Sequence, residues 1–239
     1  RAVDGVDGVI NLVGILAERG RQTFKSVHVD APAAIAIAAA GAKVESFVHV
    51  SAIGAAANAP SEYSRSKAAG EAAVRGAYPD AVIMRPSVVF GPEDGFFNLF
   101  AGLARMSPAL PLFGGGKTLF QPVYVADVAD AVVAGLANAA ARGQTYELGG
   151  PRVASFAELM ELMLGEIRRK RLLVPIPFFV GDIQATLAGI LPNPPVTRDQ
   201  MKSLRADNVG GADAGVVRGG GLGGGGAGPR GVGGAVWLC

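Results

Sequence analysis

A tyrosine and a lysine four residues apart, Tyr63 and Lys67, have types and spacing that could do proton chemistry. Residues four apart on a helix share a face, so the phenol and the ammonium group are predicted to face the same space. A phenol ionises at a pH of about 10, and a nearby lysine cation lowers that pKa because it favours the phenolate. Such a pair is typical of a general acid and base that acts beside a nicotinamide ring.

Ser51 precedes this pair and closes a short apolar segment, Phe47 to Val50. The segment is predicted to be a strand, and the ligands of open α/β sheets bind at the carboxyl edge of their strands. A serine hydroxyl at that edge can hydrogen-bond a substrate oxygen, so Ser51, Tyr63 and Lys67 are the predicted catalytic residues. The alternative interpretation makes Ser51 a turn residue and Tyr63 a half-buried contact of its helix.

Short apolar segments that alternate with helical segments indicate a doubly wound parallel sheet, the arrangement of a Rossmann-like α/β domain. The segments predicted to be strands are Val9 to Val13, Phe47 to Val50 and Ala81 to Met84. Apolar runs without polar alternation suit strands that helices cover on both faces. Asp30 is predicted to cap the Ala-rich helix that follows it, and Ser61 the helix that carries the tyrosine and the lysine.

The chain of 239 residues is predicted to have three parts. Residues 1–150 form the Rossmann-like domain without its first βαβ unit, residues 151–209 form a small C-terminal lobe rich in helix, and residues 210–239 form a Gly-rich tail. The last 30 residues hold 14 of the 35 glycines, so the tail is either a flexible segment or out-of-frame translation from about Val209 onward. We assign no function to any residue beyond Val209.

Composition and charge argue against several classes of function. The formal net charge of +2 is too small for a nucleic-acid-binding protein, which carries a strong basic excess. No apolar run approaches the roughly 20 residues that span a bilayer. The single cysteine, Cys239, allows no internal disulfide, which fits a reducing compartment. His28 and His49 have no carboxylate or cysteine neighbours at ligand spacing, so both are predicted to be structural and no metal site is predicted.

The order of several motifs resembles that of the short-chain dehydrogenases/reductases. These motifs are Asn11-Leu12-Val13-Gly14, Val50-Ser51, Tyr63 with Lys67, Arg85-Pro86-Ser87-Val88-Val89-Phe90-Gly91-Pro92, and Gln121-Pro122-Val123-Tyr124-Val125 with Asp127. The last two are similar to stretches of the extended and atypical branches, which include the NAD-dependent epimerase/dehydratase family. The resemblance implies a bound NADP or NAD. The cofactor-binding residues that it implies are Val13, Gly14, Tyr63, Lys67, Pro86 and Val89.

Other stretches resemble, more narrowly, the short-chain-dehydrogenase-like accessory subunit of respiratory complex I and its bacterial relatives. They are Gly14-Ile15-Leu16 with Gln22-Thr23-Phe24, Gly91-Pro92-Glu93-Asp94 with Phe97-Asn98, and Pro195 with Thr197-Arg198-Asp199-Gln200. Together the resemblances cover residues 1–209. They imply a protein that holds NADP(H) for structure or assembly rather than turnover, with complex I subunits as partners.

The chain departs from the family pattern in two places. The Gly-rich phosphate-binding loop of the family, Gly-x-x-Gly-x-x-Gly after the first strand, does not occur in it. Because the chain opens at Arg1 and soon enters a strand, we expect that loop, and the residues that choose NAD or NADP, to lie upstream in a longer protein. Ile53 stands where extended-branch enzymes often carry a catalytic Ser or Thr, which puts the role of Ser51 in question.

Three functions remain open on the sequence. The protein is an accessory or assembly protein, an active NAD(P)-dependent oxidoreductase or epimerase on a small or isoprenoid-like substrate, or a regulator that binds nucleotide without turnover. The predicted location is cytoplasmic. The basic run Arg168 to Arg171 is either a solvated helix end or a contact with a partner subunit or anionic lipid, and the lipid contact would hold the protein peripherally on the inner face of the membrane.

Overall fold

The computed structural model describes residues 3–188 and 197–211. Helices and strands alternate along most of this length. The strands are β1 Gly8–Asn11, β2 Ser46–Val50, β3 Val82–Pro86, β4 Val89–Phe90, β5 Ala109–Phe113, β6 Leu119–Phe120, β7 Val123–Tyr124, β8 Thr145–Leu148, β9 Ala154–Ser155 and β10 Leu172–Ile176. The α-helices are α1 Ala31–Gly41, α2 Glu62–Ala77, α3 Phe97–Met106, α4 Val125–Ala137, α5 Phe156–Glu166, α6 Phe178–Ala188 and α7 Arg198–Ser203.

Four of the strands form a parallel sheet in the order β1-β2-β3-β8, which we call the central sheet. Its strands are mostly apolar, and successive side chains point to opposite faces. On one face Val48 and Met84 pack with residues of α4, and on the other Phe47 and Ile83 pack with α1 and α2. Helices therefore cover both faces of the sheet, and the predicted doubly wound Rossmann-like fold is confirmed.

A second apolar cluster lies between α3 and α5. Four phenylalanine rings at its centre, which we name the aromatic core, have neighbouring centroids 5.2 to 6.3 Å apart. They are Phe96, Phe100, Phe120 and Phe156. Two small sheets border this cluster: β5 pairs with β10 in parallel, and β6 pairs with β9 antiparallel. Strands of the predicted lobe, residues 151–209, therefore pair with strands of residues 1–150.

Two helix starts were predicted, and the structure bears out one of them. Ser61 caps α2, because its hydroxyl accepts a hydrogen bond from the Ser64 N–H at 3.2 Å. Asp30 does not cap α1, so that prediction is wrong. A π-helical turn, Lys25–Asp30, runs directly into α1, so Asp30 already has helical dihedral angles and its carboxylate pairs with Lys25 instead.

Two further predictions differ from the structure in their boundaries. The first strand ends at Asn11, and Val13 lies beyond it, exposed at the carboxyl edge of the sheet. Helix α5 ends at Glu166, and Arg168 takes a left-handed conformation with φ of 52°. The basic run Arg168 to Arg171 therefore links α5 to β10. Most of the Gly-rich tail lies outside the described residues.

Candidate functional site

Helix α2 carries the two predicted site residues. Its first turn is held by a serine just before the helix and by an aspartate far along the chain. Ser61 accepts from the N–H of Ser64 at 3.2 Å. The N–H groups of Glu62 and Tyr63 donate to the two carboxylate oxygens of Asp199, at 2.7 and 2.9 Å. The first N–H groups of a helix have no partner within it, so these three bonds satisfy groups that would otherwise be exposed. Tyr63 is thereby held in a fully capped turn.

Lys67 lies buried between the carboxyl ends of two neighbouring strands. Its ammonium group donates to the carbonyl oxygen of Val50, the last residue of β2, at 3.3 Å. Gly14, just after β1, is so close that a Cβ atom there would lie 3.1 Å from the lysine Nζ. Burial lowers the pKa of Lys67 to about 8, and Glu71 partly offsets this effect. The structure thus brings together two residues predicted to bind a cofactor, Gly14 and Lys67.

Tyr63 is held in an aromatic pocket beside the lysine. Its ring meets Phe24 edge to face with centroids 6.1 Å apart, and meets His28 in the same way at 5.5 Å. Burial raises the pKa of Tyr63 to about 12, the opposite of the predicted direction. The predicted effect of the lysine does not prevail because desolvation of the buried phenol outweighs it. The phenol therefore keeps its proton at neutral pH.

His28 connects this pocket to the segment after β1. Its Nε2 accepts from the N–H of Ile15 at 3.0 Å, so in the neutral ring Nδ1 carries the proton and donates to the Ser66 hydroxyl at 2.8 Å. That hydroxyl in turn donates to the carbonyl of Tyr63 at 2.7 Å. Burial, and then the charge of Lys67, lower the pKa of His28 to about 4. Spacing did not reveal this link, since 35 residues separate His28 from Tyr63.

Two buried polar atoms at the same edge of the sheet have no hydrogen-bond partner among the described residues. One is Nε2 of His49, whose Nδ1 meets the amide nitrogen of Asn11 at 2.8 Å. The other is the hydroxyl oxygen of Ser51, at the end of β2. Buried polar side-chain atoms usually have a partner, and exceptions require an explanation. We name Asn11, His28, His49, Ser51 and Lys67 the buried polar cluster.

The other predicted cofactor-binding residues lie on the strand next to Ser51 and beyond it. Pro86 ends β3, and its carbonyl accepts from the N–H of Ile53 at 3.0 Å, which places it beside the segment after β2. Val89 lines an open cleft of about 490 Å³. The other residues of this lining are Phe90, Gly91, Pro92, Glu93, Asp94 and Val125. None of them is a predicted catalytic residue.

The residues at this edge fit the ribose and nicotinamide end of a dinucleotide. Ribose hydroxyls require hydrogen-bond donors and acceptors. Lys67 supplies an ammonium group and Ser51 a hydroxyl, and neither forms a hydrogen bond to another side chain among the residues that the structure describes. Val13 and Gly14 are exposed directly beside them and leave the edge open. Across residues 3–188 and 197–211, no three His, Cys, Asp or Glu side chains converge as metal ligands.

Comparison with known proteins gives a family and two kinds of relative. Residues 1–149 match the NAD dependent epimerase/dehydratase family. The chain is 39% identical over 211 residues to the mitochondrial NADH dehydrogenase (ubiquinone) 1 alpha subcomplex subunit 9 of Mus musculus, covering 87% of this chain and 56% of that protein. It is 36% identical over 138 residues to the ceramide reductase of Caulobacter vibrioides, covering 56% of this chain and 42% of that protein. The chain spans about half the length of these relatives.

A solved structure supports the fold independently. DesIV, a dTDP-glucose 4,6-dehydratase from Streptomyces venezuelae with NAD and TYD bound, superposes with a TM-score of 0.63. The match covers 74% of this chain and 62% of that one, at 21% sequence identity. At this identity the likeness concerns the fold, and the site has to be argued from the residues of this chain.

Proposed function

This chain belongs to the NAD dependent epimerase/dehydratase family, and we propose that it holds NADP(H) or NAD(H) as a structural ligand in an assembly related to respiratory complex I. The observation that carries the proposal is the pairing of a buried Lys67, placed at the sheet edge beside Gly14, with a Tyr63 whose pKa is raised to about 12. The first feature favours binding of the cofactor. The second disfavours its use in turnover.

The binding role falls to donors at the carboxyl edge of the sheet. Lys67 would donate to the ribose hydroxyls, and the Ser51 hydroxyl would hydrogen-bond the ligand from the adjacent strand end. Pro86 would border the nicotinamide, as the family resemblance implies. When bound, the cofactor supplies a ring that exchanges hydride.

The raised pKa of Tyr63 argues for holding rather than turnover. A general acid and base works best when its pKa lies near the operating pH, and burial moves this phenol further from neutrality. A protonated phenol can still donate a hydrogen bond. Tyr63 would therefore orient a ligand without shuttling its protons.

The proposed partners are complex I subunits, because the Mus musculus relative is by name a subunit of NADH dehydrogenase (ubiquinone). The described residues include no helix long and apolar enough to cross a bilayer. Arg168, Arg169 and Lys170 are exposed, and Leu172 beside them is 71% exposed. A basic run next to exposed apolar side chains supports peripheral contact with anionic lipid, and thus a cytoplasmic protein attached to the inner face of the membrane.

The relation to a ceramide reductase supports a second candidate function. In it, Ser51, Tyr63 and Lys67 serve an NAD(P)-dependent oxidoreductase or epimerase that acts on a small or isoprenoid-like substrate. The same three side chains would then position a carbonyl or hydroxyl group and move its proton. The two functions predict different consequences of losing the Tyr63 hydroxyl.

Two substitutions in the full-length protein separate these functions. Under the proposed function, Lys67→Ala weakens NADPH or NADH retention at least about tenfold. Tyr63→Phe removes a single hydrogen bond to the ligand, so it weakens retention much less and leaves complex assembly and respiratory activity almost untouched. Lys117→Ala, which alters an exposed lysine, is the matched control. Under the alternative, Tyr63→Phe costs at least about a hundredfold in substrate-dependent oxidation of NAD(P)H. That second result would overturn the proposed function.

Membrane contact is tested by reversing charge in the basic run. Co-sedimentation with vesicles that contain anionic phosphatidylserine should decrease when Arg168, Arg169 and Lys170 are all changed to Glu. Added salt should also weaken binding of the unchanged protein, because ions screen contacts between exposed charges. Equal sedimentation of the two proteins at low salt would contradict the proposed attachment.

A further inference from the structure

A segment near the end of the described chain, residues 197–211, crosses the carboxyl edge of the central sheet. We name it the C-terminal arm. It contacts the two sides of the proposed cofactor site: one end binds the first turn of α2, and the other binds the segment that follows β3. Neither contact was predicted from the sequence. The stretch Thr197 to Gln200 was noted only for its resemblance to the accessory subunit of complex I.

At the first contact Asp199 binds the backbone of Tyr63 itself. Its carboxylate accepts from the N–H groups of Glu62 and Tyr63 at 2.7 and 2.9 Å. The carboxylate is itself held in place, because α7 begins with a reciprocal capping box in which Thr197 and Gln200 bond each other's backbone N–H groups. Since α2 is 16 residues long, its N-terminus also carries a partial positive charge that the carboxylate offsets.

At the second contact Asn208 holds the two residues after Pro86. Its Oδ1 accepts from the Ser87 hydroxyl at 2.6 Å and from the Val88 N–H at 3.0 Å. Its backbone bonds Leu119 and Gln121, at 2.8 and 3.1 Å, and so fixes the arm to the domain. The arm is thus attached to a rigid part of the sheet edge, and its position there can set the position of Asp199.

We infer that Asp199 is a positioning residue, which fixes the first turn of α2 so that Tyr63 faces the cofactor that the proposed function requires. Ser61 satisfies the Ser64 N–H, and the two N–H groups before it depend on Asp199. Tyr63 lies in this first turn, whereas Lys67 lies one turn further into the helix and bonds Val50. Loss of the carboxylate therefore displaces the tyrosine more than the lysine.

Other carboxylates of the lobe do not share this role. Asp207 lies on the arm but accepts from the N–H of Leu119, at the start of β6. Asp182 on α6 pairs with Arg205. Asp199 is the residue that links the lobe to the helix of the site.

The test compares Asp199→Ala with Ser155→Ala in the full-length protein. Ser155→Ala removes the capping box of α5, in the same lobe, and leaves α2 untouched. Each change removes a helix cap and is expected to lower the melting temperature by a similar amount. NADPH fluorescence titration, at a temperature where all variants are folded, gives the affinity. Hydrogen exchange of a peptide that covers residues 61–67 reports the order of the first turn.

We expect Asp199→Ala to speed hydrogen exchange in that peptide. It should also weaken NADPH binding roughly five- to tenfold, because the protein must then order the uncapped first turn when it binds, and that ordering costs about as much free energy as one helix cap supplies. Asp199→Asn keeps one acceptor oxygen and should give intermediate values. Ser155→Ala should lower the melting temperature without changing either quantity. If Asp199→Ala and Ser155→Ala change the affinity equally, or not at all, Asp199 is merely structural and the inference is overturned.

A third variant separates this failure from failure of the proposed function. If Lys67→Ala weakens NADPH binding and Asp199→Ala does not, only the inference fails. If Lys67→Ala leaves the affinity unchanged, the proposed function fails and the inference falls with it.

Discussion

Two regions of this molecule, the buried polar cluster and the aromatic core, bury side chains of opposite chemical character. At the carboxyl edge of the sheet, the buried polar cluster packs an amide, two imidazoles, a hydroxyl and an ammonium group into a region with two atoms unsatisfied among the described residues. Around Phe156, the aromatic core packs rings against rings. Burial of unpaired polar groups costs stability, whereas burial of aromatic rings supplies it.

This difference supports the proposal that the polar edge of the sheet is kept for a ligand. Each unsatisfied buried polar atom costs about 1 to 3 kcal/mol, and burial lowers the pKa of Lys67 as well. A fold selected for stability alone would replace such side chains with apolar ones. We therefore attribute the residue types of the buried polar cluster to ligand binding under the proposed function. The aromatic core, in contrast, stabilises the fold.

Acid should separate the two regions most strongly. The folded-state pKa values of His28 and His49 are about 4, below the ordinary value of 6.5, so the unfolded chain binds more protons between these pH values. Stability is therefore complete above pH 6.5 and is lost as the pH falls towards 4. The loss is on the order of 3 kcal/mol for each histidine. Urea unfolding at intervals from pH 7 to 4 measures it.

The matched variant for this titration is His28→Gln, which removes one of the two titrating groups. Its stability should fall with pH about half as steeply between pH 6.5 and 5. Lys67 does not contribute in this range, because its pKa of about 8 leaves it charged in both states below pH 7. A stability that stays flat from pH 7 to 5 would show that the imidazoles are not desolvated in this way.

Truncation of the aromatic core should have the next largest effect. Phe156 is fully buried and touches three other phenylalanine rings, so Phe156→Ala should lower the free energy of unfolding by about 4 kcal/mol. Phe179→Ala is the matched control, because that ring is 64% exposed and its loss should cost less than about 0.5 kcal/mol. Similar losses for the two variants would mean that the ring cluster does not carry the stability of the lobe.

Features that depend on neighbours in sequence were predictable on both sides of this comparison. Ser61 and the helix after it were recognised because a capping serine and the shared helix face of Tyr63 and Lys67 lie within a few residues. The central strands were recognised from short apolar runs. Strand β10 was missed, because Pro175 obscures the pattern and its pairing partner lies more than sixty residues earlier.

Features made by distant residues were not predictable. Asp199 and Tyr63 are 136 positions apart, and no local pattern marks the carboxylate as a cap for a helix so far away. The direction of the Tyr63 pKa was wrong for the same reason. Helical spacing places the lysine on the same face, but the burial of the ring by Phe24 and His28 comes from the tertiary fold.

A glycine pair on α2 tests how tightly the polar side of the molecule is packed. Gly70 faces the π-helical turn, and a Cβ atom there would lie 1.9 Å from the carbonyl oxygen of His28. Gly70→Ala should therefore push α2 away from that turn and cost about 2 kcal/mol. Gly76 on the same helix has nothing within 4 Å, so Gly76→Ala should stabilise the protein by about 0.5 kcal/mol. Thermal unfolding of both variants measures the difference in sign, and two stabilising changes would mean that the close approach does not exist in solution.

Removal of the Ser51 hydroxyl should have the smallest effect on stability and the most specific meaning. Ser51 and Ser61 are both buried, but the Ser61 hydroxyl caps α2, whereas that of Ser51 has no hydrogen-bond partner among the described residues. Ser61→Ala should cost about 1 kcal/mol. Ser51→Ala should be neutral or slightly stabilising, because it removes an unpaired polar group from the interior. In the full-length protein, however, Ser51→Ala should weaken NADPH binding, since that hydroxyl is available to the ligand. Chemical unfolding and NADPH titration of both variants decide the matter. A stability loss for Ser51→Ala that equals the loss for Ser61→Ala would mean that the hydroxyl already has a partner in the folded chain, and the contrast between a ligand-binding edge and a stabilising core would lose its clearest case.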